Sequence, residues 1–408
     1  MKKVLFVINT LGGAGAEKAL LELLPRFSPE EYEVSLFVLM GQGELIQELP
    51  AHVKLLNQHY STEPVLNKKG KKVLAGKVMA RALSHASLFR NLPYLISNFL
   101  EMKKRKNVCV DKLLWKVMAD GAWRTTEQYD LAVAYLEGGS AYYVRDYVNA
   151  EKKAVFLHVD YARAGYTRKL DRDCYPDFDR IFTVSGEVKD SFLQVYPECK
   201  EKTEIFHNLL DREKICKKAL QEGGFSDGFT GTRLLTVGRL TAQKAYEVSI
   251  AAMKLLKEKK GNVRWYVLGE GNLRDKLQEL IDQYGLTRDF ILLGAKKNPY
   301  PYFAQTDIYV HASRFEGKSI AIQEAQILGC SIIVSDCSGN REQVEDGKDG
   351  LMCRLTPEDI CDKIIRMMED EELRMKCGRR AARKNFPGEN DVEKLFCMMQ
   401  SEIGRAHV

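Results

Sequence analysis

Short, unbroken apolar runs alternate with helix-like segments along almost the whole chain. KKVLFVIN, YEVSLFVLM, YDLAVAYLE, KKAVFLHVD, DRIFTVS and KTEIFHN are the runs of the first half. RLLTVGRL, VRWYVLGEG, FILLG, IYVHAS and SIIVSD are those of the second, with helical segments such as AYEVSIAAMKLLKEK, LRDKLQELIDQYG, 320–329 and 358–369 between them. A sheet with one wet face alternates apolar and polar residues. Runs apolar on both faces belong to a parallel sheet covered by helices on each side. Two such series in 408 residues exceed one ordinary core. The chain is therefore expected to be α/β, with two Rossmann-like doubly wound domains facing each other across a cleft. The expected boundaries are 1–208, 209–388 and a C-terminal helix over 389–408 that packs back toward the first domain. The polar stretch LLDREKICKKALQEGGFSDGFTGT, 209–232, Gly-rich around 221–231, reads as a linker or boundary. Ligands of such sheets bind beyond the carboxyl ends of the strands, which places the site in the cleft.

Apolar residues at 45% and charged residues at 29% describe a soluble protein. No run reaches the roughly 20 apolar residues that a membrane-spanning helix needs. The opening MKKVLFVINTLGG turns polar after Ile8, so it reads as a buried strand and not as an export signal. Ten cysteines without a C-x-x-C pair argue against a zinc site or a disulfide framework, and for reduced thiols in the cytoplasm.

The net charge of +6 is uneven: between residues 68 and 106, eleven Lys or Arg stand against one acid, Glu101. Apolar residues are interleaved with them. A basic amphipathic segment can lie on an anionic membrane at about 1 kcal/mol per basic residue near the surface. A solvated helical face has the same composition. No nucleic-acid motif accompanies the patch, and no nucleic-acid partner is expected.

Three short stretches can carry chemistry. In LGGAGAE, Gly13 and Gly15 lie between a strand and a helix, where bare backbone can approach an anion. Arg239 and Lys244 follow the strand LLTVG, and a fork plus a point charge suit a diphosphate. In RFEGKSIAIQEA, Glu316 falls in a strand-end loop, Gly317, Lys318 and Ser319 sit at a helix start, and Glu324 lies about two turns on. Two carboxylates then flank one anion-binding turn, placed to accept hydrogen bonds from sugar or ribose hydroxyls. Taken singly, each stretch also reads as a tight turn or as solvated surface charge.

Taken in order, they resemble the retaining nucleotide-sugar glycosyltransferases of family 4, which have the two-domain GT-B fold. The resemblance covers nearly the whole chain and is densest over 205–352. NTLGGAGAEKALLEL resembles the first glycine loop, FTVSGEVKDSF a strand ending in Ser, and IFHNLLD, with Asn208 and Asp211, the strand–Asn–x–x–Asp piece. LLTVGRLTAQKA, YVLGEGNLRDKL, SRFEGKSIAIQEA and GNREQVEDGKDGLM resemble the pieces that build the donor pocket. The resemblance implies that Arg239 and Lys244 bind the donor diphosphate, Glu316 lies beside the transferred sugar and Glu324 holds the ribose. It implies further donor contacts from Gly13, Gly15, Gly317, Lys318 and Ser319, and makes His158 the histidine of the catalytic cleft. Two positions depart from the pattern: Ala245 stands where the family usually has Gly, and Lys318 where it has a bulky apolar residue. Glu-Gly-Lys-Ser resembles a variant among surface-polysaccharide transferases.

The implied reaction moves a sugar from a nucleotide-diphosphate donor, UDP by default, to a hydroxyl of a lipid-linked glycan for capsule or exopolysaccharide. Anomeric configuration is retained. The enzyme would work at the inner face of the cell membrane, touching it through 68–106. No cofactor or metal is expected: the D-x-D triplets Asp171/Asp173 and Asp177/Asp179 lie far in sequence from the Arg–Lys pair. A nucleotide-sugar 2-epimerase is the first alternative, and the full Glu-x7-Glu and Arg-x4-Lys set disfavours it. A non-catalytic partner subunit is the second, though such a chain typically lacks one of these residues.

Overall fold

A computed structural model describes residues 1–106, 108–386 and 388–400. The part of the expected C-terminal helix beyond residue 400 lies outside the described residues. The chain forms two compact units, one of Met1–Leu210 together with the segment from Phe386 onward, the other of Asp211–Asn385.

The first unit holds seven strands: β1 (Lys2–Ile8), β2 (Tyr32–Val38), β3 (Lys54–Leu55), β4 (Gln128–Ala134), β5 (Asn149–Leu157), β6 (Arg180–Thr183) and β7 (Thr203–Ile205). They lie in the order β3-β2-β1-β4-β5-β6-β7, and every pairing is parallel. The apolar runs are buried on both faces, and separate clusters of core side chains cover the two sides of the sheet. Strand order reverses at β1, which pairs with β2 on one side and β4 on the other. The chain returns to this unit through helices Gly388–Asp391 and Glu393–Met399. There Phe396 stacks on Tyr32 with ring centroids 5.2 Å apart, and His207 Nδ1 meets Asp391 at 2.7 Å.

The second unit holds β8 (Thr232–Val237), β9 (Val263–Leu268), β10 (Phe290–Gly294), β11 (Ile308–His311), β12 (Ile332–Ser335) and β13 (Leu351–Cys353). Its order is β10-β9-β8-β11-β12-β13, again all parallel. Renumbered within the unit this is 3-2-1-4-5-6, the doubly wound order whose ligand crevice opens where the order reverses, here between β8 and β11.

Three details differ from the sequence-based expectation. Residues 212–219 are helical instead of part of a linker: the Asp211 side chain accepts from Lys214 N–H and starts the helix. The basic segment is not one amphipathic helix. It breaks at His85 and Ala86, both at φ 52°, into helices Lys68–Leu83, Ser87–Arg90 and Leu92–Lys104. Within it Lys77 and Arg81 turn inward, bonding to the carbonyls of Gly41, and of Gly121 and Leu39.

Candidate active site

In the second unit the strands β8 and β11 end side by side, and their C-terminal loops carry the charged residues. Arg239, two residues beyond β8, is exposed and has no ion pair among the described residues. Gly238 precedes it because a Cβ there would come within 3.3 Å of both Lys244 Cε and the Tyr246 hydroxyl. Lys244 ends a short turn, and Ala245 after it holds φ 45°, a left-handed conformation that favours glycine. This is the position where the resemblance expects Gly.

Lys244 points inward. Its Nζ lies 2.6 Å from Glu316 Oε1, and His311 Nε2 reaches the same oxygen at 3.0 Å. His311 is the last residue of β11 and is buried. Its Nδ1 is 3.0 Å from the Tyr309 hydroxyl. Since a carboxylate only accepts, Nε2 carries the imidazole proton and Nδ1 accepts from Tyr309. Gln243 Nε2 approaches the other Glu316 oxygen at 3.4 Å, and Glu316 N–H donates to the Ser338 carbonyl. Burial alone raises a carboxyl pKa, yet the Lys244 charge and the His311 bond outweigh it and hold Glu316 well below the usual range. Burial first, then the Lys244 charge, depress the His311 pKa and keep the ring neutral.

Ser319 occupies the N-cap position of helix Ile320–Ile327 without a side-chain capping bond, so Gly317 and Ser319 present backbone at a helix start, as expected. Gly339, at φ 78°, lies against this turn, where a Cβ would strike the Gly317 carbonyl at 2.3 Å. The stretch 338–340 is thus moulded to the Glu316 loop. Glu324 is only 2% exposed and accepts from the Tyr300 hydroxyl at 2.9 Å. The structure therefore brings Lys244, Glu316, Gly317 and Ser319 together. It adds His311, Tyr309, Gln243 and Tyr300, which sequence reasoning did not single out. A histidine closing a buried strand five residues before Glu316 was the available signal.

The first unit places Gly13 in the loop after β1, where its N–H donates to Glu44 Oε1 at 2.9 Å. The glycine loop thus already faces an internal carboxylate. Gly15 begins helix Gly15–Leu23. His158, just past β5, is half-buried. Its backbone N–H donates to Glu137 Oε2 at 3.0 Å, while Nε2 finds no partner. Burial lowers the His158 pKa to about 4 against a hydrogen bond with the Tyr135 backbone, so the ring is neutral near pH 7. Of the D-x-D residues, Asp171 Oδ1 accepts from the Tyr142 hydroxyl in the core and Asp179 accepts from Lys153 N–H at the start of the β5–β6 ladder, while Asp173 and Asp177 are exposed.

Residues 230–384 match the family model described as Glycosyl transferases group 1. Over 378 residues, 92% of each chain, the sequence is 28% identical to the N-acetylgalactosamine-N,N'-diacetylbacillosaminyl-diphospho-undecaprenol 4-alpha-N-acetylgalactosaminyltransferase of Campylobacter jejuni. A poly(ribitol-phosphate) alpha-N-acetylglucosaminyltransferase of Staphylococcus aureus is 26% identical over 160 residues, 39% of this chain and 31% of that one. Anabaena Alr3699/HepE in complex with UDP and glucose shares the fold with a TM-score of 0.68 at 16% identity, covering 98% of this chain and 100% of its own. WaaG, a glycosyltransferase involved in lipopolysaccharide biosynthesis, does so with 0.62 at 14% identity, over 98% and 100%. The chain is a glycosyltransferase of the GT-B fold.

Proposed function

We propose that the chain is a family 4 retaining enzyme that transfers a sugar from a UDP-linked donor to a hydroxyl of a lipid-linked glycan in capsule or exopolysaccharide synthesis. The observation that carries this reading is the set at the β8–β11 reversal: free Arg239, paired Lys244 and Glu316, and buried Glu324. Arg239 and Lys244 bind the diphosphate and stabilise its charge as it departs. Glu324, oriented by Tyr300, accepts from the ribose hydroxyls. Gly317, Lys318 and Ser319 contact sugar or phosphate. On the first unit, Gly13 and Gly15 offer bare backbone for donor contacts, and neutral His158, with Nε2 unpartnered, offers a hydrogen-bonding group and not a charge.

Retention follows from attack on the face from which the diphosphate leaves, with a diphosphate oxygen taking the acceptor proton. A covalent intermediate on Glu316 is disfavoured, because Oε1 already accepts from both Lys244 and His311. The reaction needs no metal, since the cations that offset the diphosphate are side chains.

The acceptor reading rests on the Campylobacter relative, named for a diphospho-undecaprenol substrate, and on the basic segment. There Met79, Leu83, Phe89, Leu92, Ile96, Phe99 and Leu100 are exposed beside exposed Lys68, Lys71, Lys72, Lys103 and Lys104. Apolar side chains in a basic field suit the inner face of a membrane. No helix among the described residues is long and apolar enough to cross one.

Thermal shift with UDP, GDP, ADP and TDP, each with and without magnesium, tests the donor. A shift with UDP that is indifferent to magnesium and lost in Arg239→Ala supports the reading. A ligand at about 100 times its Kd adds about 2.7 kcal/mol of stability. No shift with any of the four overturns it.

A further inference from the structure

We infer that donor binding exchanges charges in this site: Lys244 leaves Glu316 for the diphosphate, and His311 takes up a proton to become the new counter-ion that holds Glu316 in place. The inference rests on the donor reading above and adds to it a positioning residue and a proton.

In the structure one oxygen, Glu316 Oε1, accepts from Lys244 at 2.6 Å and from His311 at 3.0 Å, and Lys244 Nζ and His311 Nε2 are 3.1 Å apart. Lys244 cannot give its charge to an arriving diphosphate and keep Glu316 fully neutralised. Glu316 is 6% exposed, and a buried carboxylate stripped of its partner is strongly disfavoured. Arg239 lies outside this triangle. The other titratable groups facing it are Tyr309 on β11, Tyr246 on helix Tyr246–Lys259, Glu324 on helix Ile320–Ile327 and Cys337 after β12. None of these is a cation, so His311 is the group that can replace the lost charge.

The proton has a place to go. It adds to Nδ1, which now accepts from Tyr309. The ring then donates from Nδ1 to the Tyr309 oxygen, and the hydroxyl hydrogen turns to the Val237 carbonyl, 3.5 Å away. Nε2–H keeps its bond to Glu316 throughout, so the carboxylate stays where it was. The same Lys244 charge that keeps His311 neutral in the free protein is the one removed.

The test is calorimetric titration with UDP near pH 7 in two buffers of different ionisation heat, which reads protons taken up per nucleotide bound. The wild type should take up a substantial fraction of one proton, and its UDP affinity should rise toward low pH by up to about tenfold per pH unit. His311→Gln keeps a donor toward Glu316 but does not titrate, so it should bind UDP without that uptake. Protons exchanged by UDP itself appear equally in both proteins and cancel. If wild type and His311→Gln bind UDP with the same proton uptake, the exchange is wrong and the donor reading stands. If none of the four nucleoside diphosphates binds the wild type, the donor reading fails and the exchange with it.

Discussion

Lys244 Nζ lies 2.6 Å from Glu316 Oε1, with only 13% and 7% of the two side chains exposed. Removing one member of a buried pair typically costs about 3–5 kcal/mol, and the loss of Lys244 should fall at or below the low end because His311 still holds Glu316 Oε1. Glu316→Leu and Lys244→Met should each destabilise the second unit by an amount of that order, read as a lower urea midpoint. The double variant should recover most of the loss, because two apolar groups replace the pair. A double variant destabilised by the sum of the two single losses would show that the two residues are not coupled. Lys244→Met and the double variant should both lose UDP binding even where stability returns.

Tyr300 donates to Glu324 at 2.9 Å. Its hydroxyl should orient the carboxylate toward the ribose without touching the reacting atoms. Loss of a hydrogen bond to a buried group costs roughly 1 kcal/mol, about fivefold in affinity. Tyr300→Phe should therefore raise the donor KM about fivefold and leave kcat almost unchanged. A fall in kcat with KM constant would move Tyr300 into the chemistry.

Both partnerships show what the sequence disclosed and what it hid. The strands β8 and β11, the loop after each and the helix after Glu316 were legible because unbroken apolar runs and a Gly-Arg or Glu-Gly junction mark them. The order of the strands was not legible, since periodicity says nothing about neighbours. β3 and β13, of two and three residues, are too short to leave a pattern. His311 looked like part of a strand because its partners, Lys244 and Glu316, come from separate loops. Glu44, which meets the Gly13 N–H, stands thirty-one residues away in sequence. The helix from Arg212 looked like linker because its helical residues are mostly charged, with Ile215 alone buried.

The exposed apolar residues of the basic segment predict binding to anionic vesicles. Each basic residue near such a surface adds about 1 kcal/mol, though Arg105 is already paired with Glu101. Replacing Lys103 through Lys106 with Gln should weaken sedimentation with phosphatidylglycerol vesicles by roughly tenfold or more. Phe89→Asp should weaken it further while UDP binding persists. Unchanged sedimentation in both variants would leave the segment as ordinary solvated surface.

The core of the first unit holds a carboxyl group that titrates late. Asp171 is fully buried, its Oδ1 accepts from Tyr142 at 2.6 Å, and its Oδ2 has no partner among the described residues. Burial pushes its pKa up to about 8, against the Tyr142 bond, which pulls the other way. In the unfolded chain the same group titrates near 3.9. Between these values the folded protein binds the proton and the unfolded chain does not, so raising the pH destabilises the fold. The loss approaches about 1.4 kcal/mol per pH unit across the window from about 4 to about 8, then levels off. His158, lowered to about 4, contributes the opposite slope below about 6.5. Asp171→Asn keeps an acceptor for Tyr142 and removes the titration, while His158 is common to both proteins. The variant should be more stable than wild type at pH 8.5, and the difference should shrink steadily as the pH is lowered to 5. Urea midpoints at three pH values decide it: a difference independent of pH would mean that Asp171 is ionised in the folded protein at pH 7.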